Sequence, residues 1–311
     1  MSYLRNGANV NKSWEILKGD CREILADMPD NSVDSVVTDP PSGTNLMIPF
    51  RESSDTDRYV RFDCPLGKLR ANFKTTYSVN MRLRNIFEEN IWPALLEVGR
   101  VMKPGSYGVF WGFPRSAHWL SYGLEEAGLS VLDTLIRRLR KRRPKSPLID
   151  DKFSTQLVQE TEHWVLVRKD GNETARSTFD EWGTGYMNVF REGTRISNLW
   201  ESYPSHGSES DHPTEKPVPL MEEMVRLVTP EGGIVLDPFA GSGSTLLAAD
   251  RVGRESIGIE LNPEYVEIAE KRLKDSRRER FTPLDDEYIE YTEDETDIPD
   301  EMELDELFDL G

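Results

Sequence analysis

Two short stretches carry residues whose types and spacing suit chemistry. The first is Ile234-Val-Leu-Asp-Pro-Phe-Ala-Gly-Ser-Gly-Ser-Thr245, an apolar run passing into a glycine-rich turn ahead of a helical pattern. Parallel sheets bind nucleotide-like cofactors where such a strand meets such a turn. Gly241 and Gly243 let the backbone approach a ligand closely. A plain strand-to-helix turn has the same appearance. The next apolar run, Ile257-Gly-Ile-Glu260-Leu-Asn262, sharpens the reading, because its acid lies 19 residues after Gly241. A carboxylate there accepts both ribose hydroxyls of an adenosine. No third glycine or arginine points to a pyrophosphate, so an adenosine moiety without phosphates is expected. The second stretch is Val36-Val-Thr-Asp39-Pro40-Pro41-Ser42-Gly43. Its prolines fix the backbone and remove two donors, leaving carbonyls outward. Asp39 beside such a carbonyl makes an acceptor-only site, complementary to an amino group with two hydrogens. A rigid loop with a solvated Asp is the plain alternative.

Both stretches follow strand-like runs, and the whole chain repeats that pattern. Seven apolar runs read as strands: Trp14–Leu17, Val33–Thr38, Tyr107–Trp111, Ser130–Ile136, His163–Val167, Gly233–Leu236 and Ser256–Glu260. Helical patterns lie between many of them, at Asn85–Met102, Arg115–Ala127, Pro217–Val228, Ser242–Val252 and Pro263–Asp275. The alternation predicts one doubly wound α/β domain with a mostly parallel sheet covered on both faces. Thr44–Leu83 and Asp170–Asp211 break it, being polar and without periodicity, and loops of that length are functional or disordered.

The charge is uneven. The 38 basic and 56 acidic residues give a net −18, yet 14 of the acids and none of the bases fall between Leu284 and Gly311. The preceding residues carry only −4, which does not exclude a nucleic-acid partner. The acidic end has the composition of a disordered tail, with Met302, Leu304, Leu307, Phe308 and Leu310 available to a partner protein. Seven cations fall within Arg137–Lys145 (Arg137, Arg138, Arg140, Lys141, Arg142, Arg143 and Lys145), directly after a strand. Phosphate contact is the favoured reading over a solvated face. Two cysteines, Cys21 and Cys64, rule out a disulfide scaffold. No His/Cys cluster has metal spacing. No apolar run approaches the ~20 residues of a membrane helix, and Met1–Asn11 has no signal-peptide core. A soluble cytoplasmic protein, with no membrane and no metal, is expected.

Four motifs together, Thr-Asp39-Pro-Pro, His212-Pro-Thr-Glu-Lys-Pro217, Asp237-Pro-Phe-Ala-Gly-Ser-Gly-Ser-Thr and Ile-Gly-Ile-Glu260-Leu-Asn-Pro-Glu-Tyr, resemble the signature set of S-adenosylmethionine-dependent DNA amino-methyltransferases. Their order, with the Asp-Pro-Pro motif first and the glycine motif near the end, resembles the beta class of restriction-modification type. The resemblance covers about Glu15 to Leu273 and implies a Rossmann-like seven-stranded sheet. The expected organisation is a catalytic domain over 1–280 with recognition insertions near 44–83 and 170–211, followed by the acidic tail over 281–311.

Carried over residue by residue, the resemblance implies that Asp237, Phe239, Gly241, Ser242 and Gly243 line the cofactor pocket. Glu260, with Asn262 beside it, holds the ribose. Asp20, in Gly19-Asp20-Cys21, accepts from the adenine amine, and Lys216 sits near the methionine carboxylate. Thr214 and Pro217 equally suit a helix start. Asp39, Pro40, Pro41 and Ser42 form the catalytic segment, with Asp39 also bordering the cofactor. The family usually has an aromatic where this chain has Ser42, so either Phe50, Tyr59 or Phe62 replaces its stacking on a flipped base, or the base is held less tightly, or catalysis is lost. Asp before Pro-Pro implies adenine ahead of cytosine. A catalytically degenerate relative that binds DNA or a protein is the alternative that Ser42 raises.

Overall fold

A computed structural model describes residues 13–41, 47–48, 60–61, 84, 87–112, 117–143, 159–191, 193–200 and 216–281. Twelve strands occur among them: β1 (Trp14–Lys18), β2 (Val33–Thr38), β3 (Met47–Ile48), β4 (Val60–Arg61), β5 (Met102–Gly112), β6 (Leu129–Arg143), β7 (Gln159–Lys169), β8 (Phe190–Arg191), β9 (Thr194–Arg195), β10 (Leu199–Trp200), β11 (Ile234–Asp237) and β12 (Glu255–Glu260). Eight form one sheet in the order β1-β12-β11-β2-β5-β7-β6-β10. All neighbours are parallel except those of β7, which runs antiparallel to both β5 and β6. The seven expected strands are all in this sheet. The eighth, β10, has two residues, too few to show alternation.

Among the described residues, seven α-helices accompany the strands: α1 (Cys21–Asp27), α2 (Trp92–Val101), α3 (Ala117–Glu126), α4 (Ala175–Trp182), α5 (Val218–Val228), α6 (Ser244–Arg251) and α7 (Pro263–Phe281). They cover both faces, because successive strand residues point to opposite sides. In β2 all six residues are buried. Val33 and Val36 join Leu95, Val98, Leu120 and Leu124 of α2 and α3 on one face. Val37 joins Met221, Met224, Val225 and Ala248 of α5 and α6 on the other. Truncating one of these fully buried side chains, as in Leu95→Ala, costs about 2–5 kcal/mol in such a core.

Local chemistry sets several boundaries. Of the helix expected over Asn85–Met102, Phe87–Ile91 is a π-helical turn leading into α2, while Asn85 and Ile86 lie outside the described residues. Pro93 has no N–H for the i→i−4 ladder, which accounts for the irregular entrance. Asp170–Asp211 is not featureless: α4 lies within it, closed by a Thr174/Ser177 capping box at one end and Gly183 at φ +74° at the other. Gly258 makes room for α6 against β12, since a Cβ there would lie 2.8 Å from Leu246.

Candidate active site

The sheet order turns four acids scattered through the sequence into a row. Asp20 lies just beyond β1, Glu260 ends β12, Asp237 ends β11, and Asp39 follows β2. These strands are parallel neighbours, so the row lies along one carboxyl edge at roughly 4.8 Å per strand, where open α/β sheets bind ligands.

The β12–β11 part of the row is tied together by backbone amides. Glu260 Oε2 accepts from Gly241 N–H at 2.8 Å, and Oε1 accepts from Asn262 N–H at 2.7 Å. Burial raises the Glu260 pKa, against the amides of Asn262, Gly241 and Leu261. Each carboxylate oxygen has two lone pairs, so acceptor capacity remains for a diol. Gly241 and Gly243 have φ of +52° and +80°, the left-handed region that favours glycine, and Gly243 caps α6. The carboxylate, the bare glycine turn and the positive dihedrals fit the adenosine end of S-adenosylmethionine.

Asp237 binds the two motifs to each other. Its Oδ1 accepts from Thr38 Oγ1 at 2.6 Å, across 199 residues of sequence, and from Phe239 N–H at 3.1 Å. Burial pushes its carboxyl up to about 6, against hydrogen bonds from Thr245, Thr38 and Phe239, and the Asp39 charge adds to the rise.

Asp39 is held differently. Lys216 Nζ donates to Asp39 Oδ2 and forms an ion pair with it. The same ammonium lies 4.4 Å from the ring centroid of Trp111 and 5.9 Å from that of Trp164. Burial raises the Asp39 pKa, the Lys216 charge and hydrogen bond oppose that, and Glu162 adds to the rise. Sequence reasoning put Lys216 beside a cofactor carboxylate; here its partner is Asp39.

Other expected site residues also have partners within the protein. Asp20 caps α1 through Arg22 N–H and pairs with the Arg22 guanidinium, whose hydrogen bond lowers its pKa. Burial pushes the neighbouring Cys21 thiol up to about 12. Asn262 Oδ1 accepts from Glu264 N–H at 2.9 Å at the start of α7. Phe239 packs on the core, Pro40 is buried and Pro41 half-buried. Ser242 is buried, with its carbonyl and hydroxyl accepting from Arg272 at 2.6 and 2.9 Å. Arg272, a clamp from α7 onto the glycine turn, was missed. Arg137 corrects the basic cluster: it is buried and paired with Glu162 at 2.8 Å, across the β6–β7 register. Arg138 is exposed. Ser42, Lys145, Phe50, Tyr59, Phe62, Thr214 and the acidic tail lie outside the described residues, as do the side chains of Arg140, Lys141, Arg142 and Arg143. Among the described residues there is no cluster of three His, Cys, Asp or Glu suited to a metal, and no helix is long and apolar enough to cross a membrane.

Comparison with known proteins gives this edge its context. Residues 33–271 match the N6_N4_Mtase family, described as DNA methylase. The chain belongs to that family. M2.DpnII, a type II methyltransferase of Streptococcus pneumoniae, is 27% identical over 85% of this chain and 91% of its own. The solved structure of TTHA0409 from Thermus thermophilus, complexed with S-adenosyl-L-methionine, is similar with a TM-score of 0.54 at 25% identity, covering 84% of this chain and 93% of that one. The fold is also that of PvuII DNA methyltransferase, described as cytosine-N4-specific, with a TM-score of 0.58 at 19% identity over 85% and 90% of the two chains. The family match spans β2 to α7, and so includes Asp39, Lys216, Asp237 and Glu260.

Proposed function

We propose that this protein is a site-specific DNA methyltransferase that modifies the exocyclic amine of a base flipped from the duplex, adenine ahead of cytosine. The carrying observation is the acid row, with Glu260 pinned to the glycine turn and Asp39 next to a replaceable ammonium. S-adenosylmethionine, when bound, supplies an electrophilic methyl on a sulfonium and leaves as a neutral thioether. Glu260 would hold the ribose, Asp20 and Asn262 would border the adenosine, and Gly241, Ser242, Gly243 and Phe239 would shape the turn around it. Asp237 and Asp39 would face the sulfonium end.

The base has to leave the stack, because its amine is paired in duplex DNA. Asp39 and the Pro40 carbonyl accept the two amino hydrogens and turn the nitrogen lone pair toward the methyl. The Asp39 carboxylate then stabilises the positive charge that grows on nitrogen. Its raised pKa also suits it to take the proton the amine gives up. Adenine is favoured by the Asp in the Asp39-Pro-Pro motif, although the fold is shared with a cytosine-N4 enzyme.

DNA phosphates would meet Arg138 and the following Arg140, Lys141, Arg142, Arg143 and Lys145. Base readout is assigned to 170–211 with help from 44–83, within a catalytic unit over 1–280. The tail from 281 is assigned to solution or to a partner protein, and the whole chain to the cytoplasm. The test is transfer of labelled methyl from S-adenosylmethionine to DNA, followed by nucleoside mass spectrometry. N6-methyladenine is the expected product. N4-methylcytosine alone overturns the base assignment, and no modified base from any DNA overturns the activity.

A further inference from the structure

An amine acceptor needs a flat surface beside it if a base is to be held, and residue 42 offers none. We propose, building on the methyltransferase reading, that Trp111 supplies the face against which the flipped base stacks, with Lys216 keeping that place in the base-free protein. Trp111 is the penultimate residue of β5. Thr38 and Phe110 are register partners on β2 and β5, so Asp39 and Trp111 follow side by side at the carboxyl edge. The nitrogen of Lys216 touches both groups at once: it is hydrogen-bonded to Asp39 Oδ2 and lies 4.4 Å from the Trp111 ring centroid.

A base amine bonded to the same carboxylate would bring its attached ring alongside the same indole. The ammonium and the amine need the same oxygen and the same ring face, and the lysine's four-carbon stem lets it withdraw. Trp164, the register partner of Trp111 on β7, is fully buried and has no face to offer. Phe110 is fully buried as well, and Phe239 packs on the core. Trp111 is half-buried. It therefore combines a supported ring with an accessible side at the acceptor.

The experiment compares Trp111→Phe and Trp111→Leu with the wild type. Methyl transfer to DNA, cofactor affinity by calorimetry and melting temperature are measured for each. The leucine variant keeps apolar bulk without a π face and should lose about 10- to 100-fold in kcat/KM for DNA, the scale of one base–aromatic stack. Phenylalanine should stay within about threefold of wild type, since its ring still stacks. Cofactor affinity should be the same in all three, and because Trp111 also packs against the core, melting should fall modestly in both variants without following the loss of transfer. Full DNA activity in Trp111→Leu overturns the proposal. So does a loss that tracks melting or cofactor affinity, which makes the indole structural. Wild-type transfer to DNA is measured first, so that failure of the activity itself is read separately from failure of the stacking assignment.

Discussion

The two ends of the acid row are built by opposite means. At the glycine end, Glu260 is fixed by backbone amides from Gly241 and Asn262, and Arg272 holds the turn from behind. Those donors cannot leave without unfolding the loop. At the Asp-Pro-Pro end, Asp39 is neutralised by one lysine side chain that packs on a tryptophan. That partner can leave by rotating bonds. On the proposed reading, the difference would separate a pocket organised in advance for a small cofactor from an acceptor kept occupied until a macromolecular substrate displaces its guest. A buried acceptor with no partner at all would carry the full desolvation cost.

Mutations at the two ends should therefore fail in different ways. The largest effect is expected for Asp39→Ala: a loss of about 10²- to 10³-fold or more in kcat, the scale of a removed transition-state charge partner. Cofactor affinity should change little, and a tenfold weaker affinity by calorimetry would blur the contrast between the ends. Glu260→Ala should weaken cofactor binding and lower the melting temperature together, because two part-buried amides lose their acceptor, at no more than about 1–3 kcal/mol each. An unchanged affinity would remove Glu260 from the ribose role.

Lys216→Met tests the occupied state through pH. Burial already raises Asp39 and Lys216 opposes it, so removing the cation raises the carboxyl further. In the proposed mechanism transfer needs Asp39 ionised, so the acidic limb of the pH–rate profile should move to higher pH, with activity regained in alkaline buffer.

Asp237 lies between the two ends, and its pKa is raised, so the sign is that of a buried acid. Its contribution is most favourable below the unfolded value and is lost as pH rises through about 6. Asp237→Asn should then stabilise the protein by up to about 3 kcal/mol at pH 8, the gain fading toward pH 4 in thermal melts. It should also weaken cofactor binding, because the charge proposed to face the sulfonium is gone. Neutralising Arg138 should have the smallest effect, lowering the slope of log affinity against log salt by about one phosphate contact.

Much of this was legible in the sequence because strands and turns are local. The apolar runs at β2, β11 and β12 and the glycines after β11 announce themselves within a dozen residues. Asp20 was legible too, in a way the family resemblance obscured: Asp20-Cys-Arg-Glu23 opens α1 as an N-cap with an acid in the first turn. Arg137 is legible from period two, since it shares a strand face with Leu135 and Leu139, both buried. The pairing of Lys216 with Asp39 had no such signal. The two are 177 residues apart, and only the sheet order brings them together. Trp111 and Arg272 likewise depend on which strand or turn they face.

The Thr38–Asp237 hydrogen bond also sets a timetable for synthesis. β2 is made early, while β11, its neighbour at the site, follows about 200 residues later. At ribosomal rates the interval is about 10–40 s. During that time β2 has β5 on one side only, and β1, whose sheet partner is β12, waits longer still. The nascent chain thus carries unpaired strand edges through most of its translation, and the acid row is complete only once β11 and β12 have both been made. Chains released before Glu260 should contain no cofactor site, while exposing the apolar strands that the finished sheet conceals.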